Sequence, residues 1–381
     1  MSYPKYTKKD FEDLEKQHNI MVLVGNGFDI AVLNKFGSGL MKGKTTSYSN
    51  FYDYLTYFDK CRDNKLYKKM TDDLKSGKKD WCDFELSIDY LLHSREVNLD
   101  DLEVCMDELQ ERFTEFLNLI VTTDVTINLN QFSKSHKLAN RTLSMFLGDL
   151  YEGAETLRFG KNLSSYYDLF NFLFVNFNYT TLLDNYMHLG KEQFDPHMYK
   201  NVDRNFKFYP NPEGYLNAFN KKYKMSSYIL TNFIHPHGVQ TIPRSLIFGT
   251  ELPEYKKNAQ EKRFIKSYWA QDDVLYSSYF DETELYIIYG MSLSKTDSWW
   301  LNNIFQSLKK EKAELIIYFY GMNLSIEDIK DKFIKACNNG TDDEECLKTV
   351  KERIFIVRFT ENDTYFLGLK EINEEVKGET P

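Results

Sequence analysis

The stretch NIMVLVGNGFD, residues 19–29, decides the fold class of this chain. A short apolar run ends directly at Gly25-Asn26-Gly27, the pattern of a buried β-strand that enters a tight turn. A helix is expected after this turn, and glycines at such a point let backbone N–H groups approach a phosphate. The stretch therefore predicts the first strand and first helix of an α/β fold with a nucleotide site. A bare tight turn explains the two glycines equally well, because Ile30 stands where the last glycine of G-x-G-x-x-G would be.

Further short apolar runs have the length of buried strands. They cover residues 173–177, 245–248, 285–289, 315–319 and 354–357. Polar stretches of helical length separate the last three runs. Continuous apolar runs are typical of strands buried on both faces, so we predict a doubly wound parallel sheet covered by helices.

The region between the first two predicted strands has the periodicity of helices. Its apolar stripes at helical spacing are Tyr48, Phe51, Tyr52, Leu55 and Phe58, then Trp81, Phe84, Ile88 and Leu91, then Leu109, Phe113, Phe116 and Ile120. We therefore predict a mainly helical insertion, 46–164, in an α/β domain made of 1–45 and 165–381. Asp83 and Glu85 are expected on the solvated side of the second helix, and residues 188–227 are expected to form a long loop or small irregular subdomain.

Composition narrows the classes of function. The 48 Lys and Arg against 57 Asp and Glu give a net charge of −9, which argues against non-specific binding of nucleic acid. No apolar run is long enough to span a membrane and the start lacks a signal-peptide pattern, so a cytoplasmic protein is expected. The cysteines form no C-x-x-C pair, and no metal site is assigned; they are Cys61, Cys82, Cys105, Cys337 and Cys346.

Polar residues follow the predicted strands where ligands bind in open α/β sheets. Asn176 and Asn178 stand where the second strand emerges into a loop. Asn178 can hold a ribose hydroxyl and a water together, or it can close a turn through its own backbone. Asp29 can cap the first helix or face a ribose hydroxyl.

Two later stretches also carry candidate residues. In I-H-P-H-G, 234–238, a histidine beside glycine can act as a general base near neutral pH, while His235 and His237 together could bind a metal if a third ligand existed. In 286–297 a strand runs into Gly290 and Ser292, which form a possible second nucleotide-contacting edge. Ser294, Thr296 and Asp297 suit helix capping.

These motifs together resemble the bacterial abortive-infection family AbiH. The matching stretches are G-N-G-F-D at 25–29, T-S-Y-x-x-F at 46–51, F-N-Y-T at 177–180, H-G at 237–238 and the G-x-S-L-x-x-x-D turn at 290–297. The resemblance spans about residues 20–310 and implies a role in antiphage defence.

The order of these motifs is also similar to that of sirtuin-type NAD-binding domains, which implies a Rossmann-like fold and NAD as substrate or ligand. By this resemblance Asn178 takes the position of the asparagine near the nicotinamide ribose, and His237 that of the catalytic base. The residues implied to contact the cofactor are Gly25, Asn26, Gly27, Phe28, Asp29, Asn176, Tyr179, Gly238, Gly290, Ser292 and Leu293.

The departures from the sirtuin pattern shape the functional hypothesis. This chain has G-N-G in place of G-A-G, and it lacks the C-x-x-C pairs that accompany protein deacylation. Hydrolysis of NAD to nicotinamide and ADP-ribose is therefore the first hypothesis, with a homo-oligomer or a defence protein as possible partner. A non-catalytic nucleotide-sensing module is the alternative, and a nuclease toxin with a carboxylate-bound metal is the third.

Overall fold

A computed structural model gives the architecture. It describes residues 1–150, 156–164, 167–189, 206–208, 225–251, 258, 260–337, 342–361 and 364–371. Its centre is a seven-stranded sheet of order β3-β4-β2-β1-β5-β6-β7. The strands are β1 Gln17–Val24, β2 Leu169–Asn176, β3 Phe206–Phe208, β4 Met225–Ile234, β5 Leu285–Tyr289, β6 Glu314–Tyr320 and β7 Ile354–Phe359. Six strands are parallel, and β3 runs antiparallel to β4 at the edge.

Helices cover both faces of the sheet. Those before β2 are α1 Gly27–Phe36, α2 Tyr48–Tyr57, α3 Lys65–Lys75, α4 Phe84–Ser94, α5 Leu99–Ile120, α6 Thr123–Ser135, α7 Leu138–Ser144 and α8 Arg158–Lys161. Those after β2 are α9 Leu182–Met187, α10 Lys266–Trp269, α11 Asp272–Leu275, α12 Ser277–Glu282, α13 Ser298–Lys309, α14 Ile326–Ala336 and α15 Glu344–Lys351. The fold is a Rossmann-like α/β fold, as predicted.

Strand β1 lies at the point where the direction of chain winding changes. After β1 the chain adds β2 and β4 on one side, and it then returns to place β5 on the other side of β1. The loops that leave β1 and β5 therefore diverge at the carboxyl ends of two neighbouring strands. Ligands of open α/β sheets bind in the crevice at such a switch point.

Both faces of the sheet are buried, which explains the continuous apolar runs. Ile20 and Val22 of β1 belong to one core cluster that continues through the helices between β1 and β2, including Phe51 and Phe113. The alternate residues of β1 point into a second cluster that includes Trp300 of α13. One face is thus packed against α1–α8 and the other against the late helices.

Most of the predicted elements are confirmed. The apolar runs at 19–24, 173–177, 285–289, 315–319 and 354–357 correspond to β1, β2, β5, β6 and β7. The chain between β1 and β2 is helical over most of the residues described there, and the three stripes lie on or beside α2, α4 and α5. A division into separate domains stays a prediction, since a single core cluster joins these helices to the sheet.

One prediction from the apolar pattern is wrong. Residues 245–248 form no strand: a short 3₁₀ turn ends at Ser245, and Phe248 then packs on Phe84 and Phe113 of the helical region, with ring centroids 4.8 and 5.4 Å away. The apolar side chains there are buried by helices, not by pairing in a sheet. The strand on this side is instead β4. β3 and the start of β4 lie within 188–227, the stretch predicted to form a long loop or a small irregular subdomain. The greater part of that stretch lies outside the described residues.

His18 joins three strands at the amino end of the sheet. Its Nδ1 lies 2.8 Å from Glu284 and its Nε2 lies 3.1 Å from the buried Asp168. Burial by itself lowers the pKa of His18, but the hydrogen bonds to Asp168 and Glu284 outweigh burial and raise the pKa to about 9. The folded protein therefore holds this proton more tightly than the unfolded chain.

We expect this ion cluster to make stability depend on alkaline pH. A histidine pKa raised from 6.5 to about 9 contributes roughly 3 kcal/mol that is fully present below pH 6.5 and is lost as pH rises through 9. Melting temperatures measured from pH 6 to 10 should fall over this window, and His18→Asn should flatten the fall. Equal pH slopes for both proteins would contradict the assignment.

Candidate functional site

A cavity of about 450 Å³ opens at the switch point, against the turns that follow β1 and β5. It brings together most of the predicted site residues. Those that line it are Gly25, Asn26, Gly27, Asp29, Asn178, Tyr179, His237, Gly290 and Ser292. Four other candidates, Phe28, Asn176, Gly238 and Leu293, are not part of its lining.

Gly25 and Gly27 are required because the turn after β1 packs closely against Gly290 and Met291 of the turn after β5, which leaves no room for a Cβ. The Gly25 N–H donates to the Tyr289 carbonyl at 2.9 Å, and the Gly27 N–H donates to the Gly290 carbonyl at 2.8 Å. A Cβ on Gly27 would lie 2.7 Å from the Gly290 Cα. The expectation that these two N–H groups are available to a phosphate is therefore wrong, because both already donate to carbonyl groups at the end of β5 and in the turn after it.

Asn26 connects this turn to the helical region. Its Nδ2 donates to the Thr46 carbonyl at 3.1 Å, and its Oδ1 accepts a short hydrogen bond from the Thr46 hydroxyl. Ser47 then caps α2 by accepting from the Asn50 N–H at 3.3 Å, and Tyr48 reaches the cavity. The two opening motifs of the sequence, G-N-G and T-S-Y, thus form one wall.

Asp29 is a fully buried carboxyl group on the cavity wall. Its Oδ2 accepts from the Thr180 hydroxyl at 2.6 Å, whereas its Oδ1 has no hydrogen-bond partner among the described residues. Burial, with a smaller contribution from Asp184, raises the pKa of Asp29 to about 7. Near neutral pH the Asp29 carboxyl group can therefore accept a hydrogen bond from a hydroxyl in the cavity or, when protonated, donate one to it.

The structure separates the roles of the two asparagines after β2. The Asn176 side chain shapes the turn, since its Oδ1 accepts from the Asn178 N–H at 3.1 Å and its Nδ2 donates to the Thr180 carbonyl at 3.3 Å. Asn178 is only 4% exposed, and neither atom of its side-chain amide has a partner among the described residues. Leaving a buried amide unpaired is costly, so Asn178 is held ready for a ligand or water.

His237 lies beside Asn178 on the same wall, with its ring centroid 5.1 Å from that of Phe177. Burial and the nearby Lys266 cation lower the pKa of His237 to about 3. The ring is therefore neutral at physiological pH and can accept a hydrogen bond, but the expected general base tuned near neutral pH is not found. His235 is engaged elsewhere, 3.0 Å from Asp184.

A group of charged residues that the sequence did not place in the site also lines the cavity. We call Asp83, Glu85, Asp297 and Lys266 the buried carboxylate cluster; Glu85 and Lys266 are buried, and Asp83 and Asp297 are half-buried. The Lys266 Nζ lies 3.1 Å from Glu85 Oε2 and 3.0 Å from Asp297 Oδ1, and Lys266 is only 2% exposed. Asp83 caps α4 by accepting from the Glu85 N–H at 3.1 Å. Burial raises the pKa of Glu85 to about 8.

This cluster corrects two expectations. Glu85 is buried and lines the cavity with Asp83, so the solvated position predicted for both is wrong. Asp297 occupies the N-cap position of α13, but its side chain makes no capping hydrogen bond and binds Lys266 instead. Ser294 caps the preceding 3₁₀ turn by accepting from the Thr296 N–H at 3.2 Å. The only signal was that Glu85 stands two residues after Asp83, a helix-capping residue beside an apolar stripe, and nothing in the sequence marks Lys266.

The candidate residues that do not line the cavity pack in the core or in the turns next to it. Phe28 is buried in the core, 5.4 Å from the Tyr186 ring, and Leu293 packs in the cluster on the other face of the sheet. Gly238 has a φ of +84°, and a Cβ there would lie 2.0 Å from the Ser245 carbonyl oxygen. These residues fix the turns that hold the lining residues.

The sequence of the chain matches a known protein family. The pattern of the family described as bacteriophage abortive infection AbiH matches residues 21–319. The chain belongs to this family. The AbiH match covers the cavity lining except Tyr320 and Lys332, and it assigns the chain to antiphage abortive infection.

A comparison with curated proteins finds no match to this AbiH chain. Among the described residues, no helix has the length and apolar character needed to cross a membrane. Within the same residues, no group of three or more His, Cys, Asp or Glu side chains is arranged to hold a metal ion.

Proposed function

We propose that this AbiH protein acts in antiphage defence by binding NAD in the switch-point cavity and hydrolysing it to nicotinamide and ADP-ribose. The observation that carries the proposal is the Asn178 side chain, a buried amide with both polar atoms unpartnered among the described residues. An amide in this state can hold a ribose hydroxyl and a water at the same time. Its place at the carboxyl end of β2, beside the switch point, is where open α/β sheets bind nucleotides.

The chemistry would break the bond between the ribose C1′ and the nicotinamide nitrogen. Nicotinamide leaves with the bonding electron pair, and the oxygen of a water adds to C1′ and releases a proton. Asn178 would orient this water, and neutral His237 would accept a hydrogen bond from the water or from a ribose hydroxyl. Asp29, with its free Oδ1, would bind another ribose hydroxyl.

The charges on the cavity wall also suit this reaction. Positive charge develops on the ribose as the bond to nicotinamide breaks, and the ionised form of a buried carboxyl group stabilises such charge strongly because little water screens it. Lys332, an exposed lysine that also lines the cavity, is a candidate for contact with the diphosphate.

The direct test is nicotinamide release from NAD by the purified protein, alone and with lysate from phage-infected cells. We expect release in at least one condition, and we expect none from an Asn178→Ala protein of matched folding. Release by wild type and variant alike would remove Asn178 from the reaction. Absence of release in every condition, with NAD still bound, would contradict hydrolysis.

One observation favours a second candidate, a non-catalytic nucleotide-sensing module that acts through a partner. The pKa of His237, lowered to about 3 by burial and by Lys266, makes this histidine a weak base. A sensor needs only the binding cavity. It would bind NAD or a related nucleotide without turnover, and His237→Ala would change affinity alone.

A further inference from the structure

The cavity wall carries more acidic than basic groups. Its described lining includes four carboxyl groups and two ammonium groups: Asp29, Asp83, Glu85 and Asp297, against Lys266 and Lys332. The acidic excess is concentrated in the buried carboxylate cluster, where Lys266 alone pairs with both Glu85 and Asp297. Water screens charge poorly in such a buried place, and burial raises the pKa of Glu85 to about 8, so a positively charged ligand group beside Glu85 would stabilise its ionised form and be stabilised by it in return.

Glu85 has a free position for such a group. Its Oε2 accepts from Lys266, but its buried Oε1 has no hydrogen-bond partner among the described residues. Glu85 is 5% exposed, so water is largely excluded from this atom. A buried carboxylate oxygen without a partner calls for a donor or a cation.

Asn178 is a second and independent indication that a ligand binds here. It comes from the turn after β2, whereas Glu85 comes from α4, and both line the same cavity with unpartnered buried atoms. Asn178 and Glu85 come from different parts of the chain, and both indicate that a ligand binds in this cavity.

We propose that the buried carboxylate cluster binds the positively charged nicotinamide ring of oxidised NAD and so selects it over the neutral ring of NADH. This inference rests on the proposed binding of NAD. The oxidised ring is a pyridinium with a delocalised positive charge, and its carboxamide N–H groups can donate to Glu85 Oε1. The same cluster repels the diphosphate, which fixes the direction in which the dinucleotide enters the cavity.

Calorimetric titration with three probes tests the inference without turnover. Carba-NAD keeps the pyridinium charge but resists hydrolysis, NADH has a neutral ring, and ADP-ribose has no ring. We expect carba-NAD to bind at least tenfold tighter than NADH. Glu85→Gln, which keeps the size of the side chain, should reduce this preference at least threefold. Glu352→Gln removes the same charge from an exposed position and should leave the preference unchanged.

The possible outcomes separate this inference from the proposal on which it rests. Equal binding of carba-NAD and NADH by the wild-type protein would overturn the selection while leaving NAD binding intact. A preference that survives in Glu85→Gln would overturn the role of Glu85. Binding of none of the three probes would overturn NAD binding and the selection together.

Discussion

Asn178→Ala is expected to abolish nicotinamide release while leaving the protein at least as stable as the wild type. Removal of one preorganised hydrogen-bonding group from an active site typically costs about 10²- to 10³-fold in rate. Stability should not fall, because neither amide atom of Asn178 has a partner among the described residues to lose. Replacing an unpaired buried amide with a methyl group removes a desolvation cost. The measurements are nicotinamide release and the midpoint of urea denaturation.

Asn176→Ala is the matched control for this prediction. The Asn176 amide accepts from the Asn178 N–H and donates to the Thr180 carbonyl, so its loss should lower both stability and activity. A typical buried hydrogen bond contributes about 1 kcal/mol, and an unpaired partner adds to the loss. If Asn178→Ala instead destabilised the protein as much as Asn176→Ala does, Asn178 would have a structural role.

The fold could be predicted from the sequence where burial alone determines strand pattern. β1, β5, β6 and β7 are buried on both faces, so their sequences are continuous apolar runs that periodicity detects. β4 was missed because MSSYILTNFI mixes polar residues into the strand. The run at 245–248 is equally apolar, but Phe248 is buried by Phe84 and Phe113 of the helical region, a contact that no local pattern encodes.

The site could be predicted where its residues follow strands in the sequence. Gly25, Asn178 and Gly290 come directly after strands, and parallel strands bring their carboxyl ends to one edge, so their meeting follows from topology. The buried carboxylate cluster could not be found in this way. Glu85 and Lys266 are 181 residues apart, and only tertiary packing brings them together.

The environment of a side chain could not be predicted from the sequence either. The sequence shows a histidine beside a glycine, which is consistent with a base near neutral pH. It does not show that His237 is buried next to the Lys266 cation, which together lower its pKa to about 3. Chemical role depends on burial and neighbours from distant parts of the chain, so residue type and spacing indicate a site before they indicate a mechanism.

Lys266→Met is expected to destabilise the folded protein strongly at neutral and alkaline pH. The substitution leaves Glu85 and Asp297 in the buried carboxylate cluster without the ammonium group that lies within 3.1 Å of both. Removing one partner of a buried ion pair typically costs about 3–5 kcal/mol, because the remaining carboxyl groups must either bury an uncompensated charge or bind a proton. Urea denaturation should show this loss, and the exposed Lys332→Met on the same cavity should change stability by less than about 0.5 kcal/mol.

The pH dependence of the stability lost in Lys266→Met identifies the cause of the loss. Burial raises the pKa of Glu85 to about 8 even with Lys266 present, and Lys266 acts to lower it, so the pKa should rise further in Lys266→Met. A carboxyl group whose folded pKa exceeds its unfolded value favours folding when protonated, so the variant should recover stability as pH falls from 9 towards 5. Adding Glu85→Gln should restore part of the stability at pH 8, because the double variant no longer has a carboxyl group at this position that must be buried as an ion or protonated. A loss that is independent of pH and is not relieved by Glu85→Gln would instead indicate that the aliphatic packing of Lys266 is what stabilises the fold.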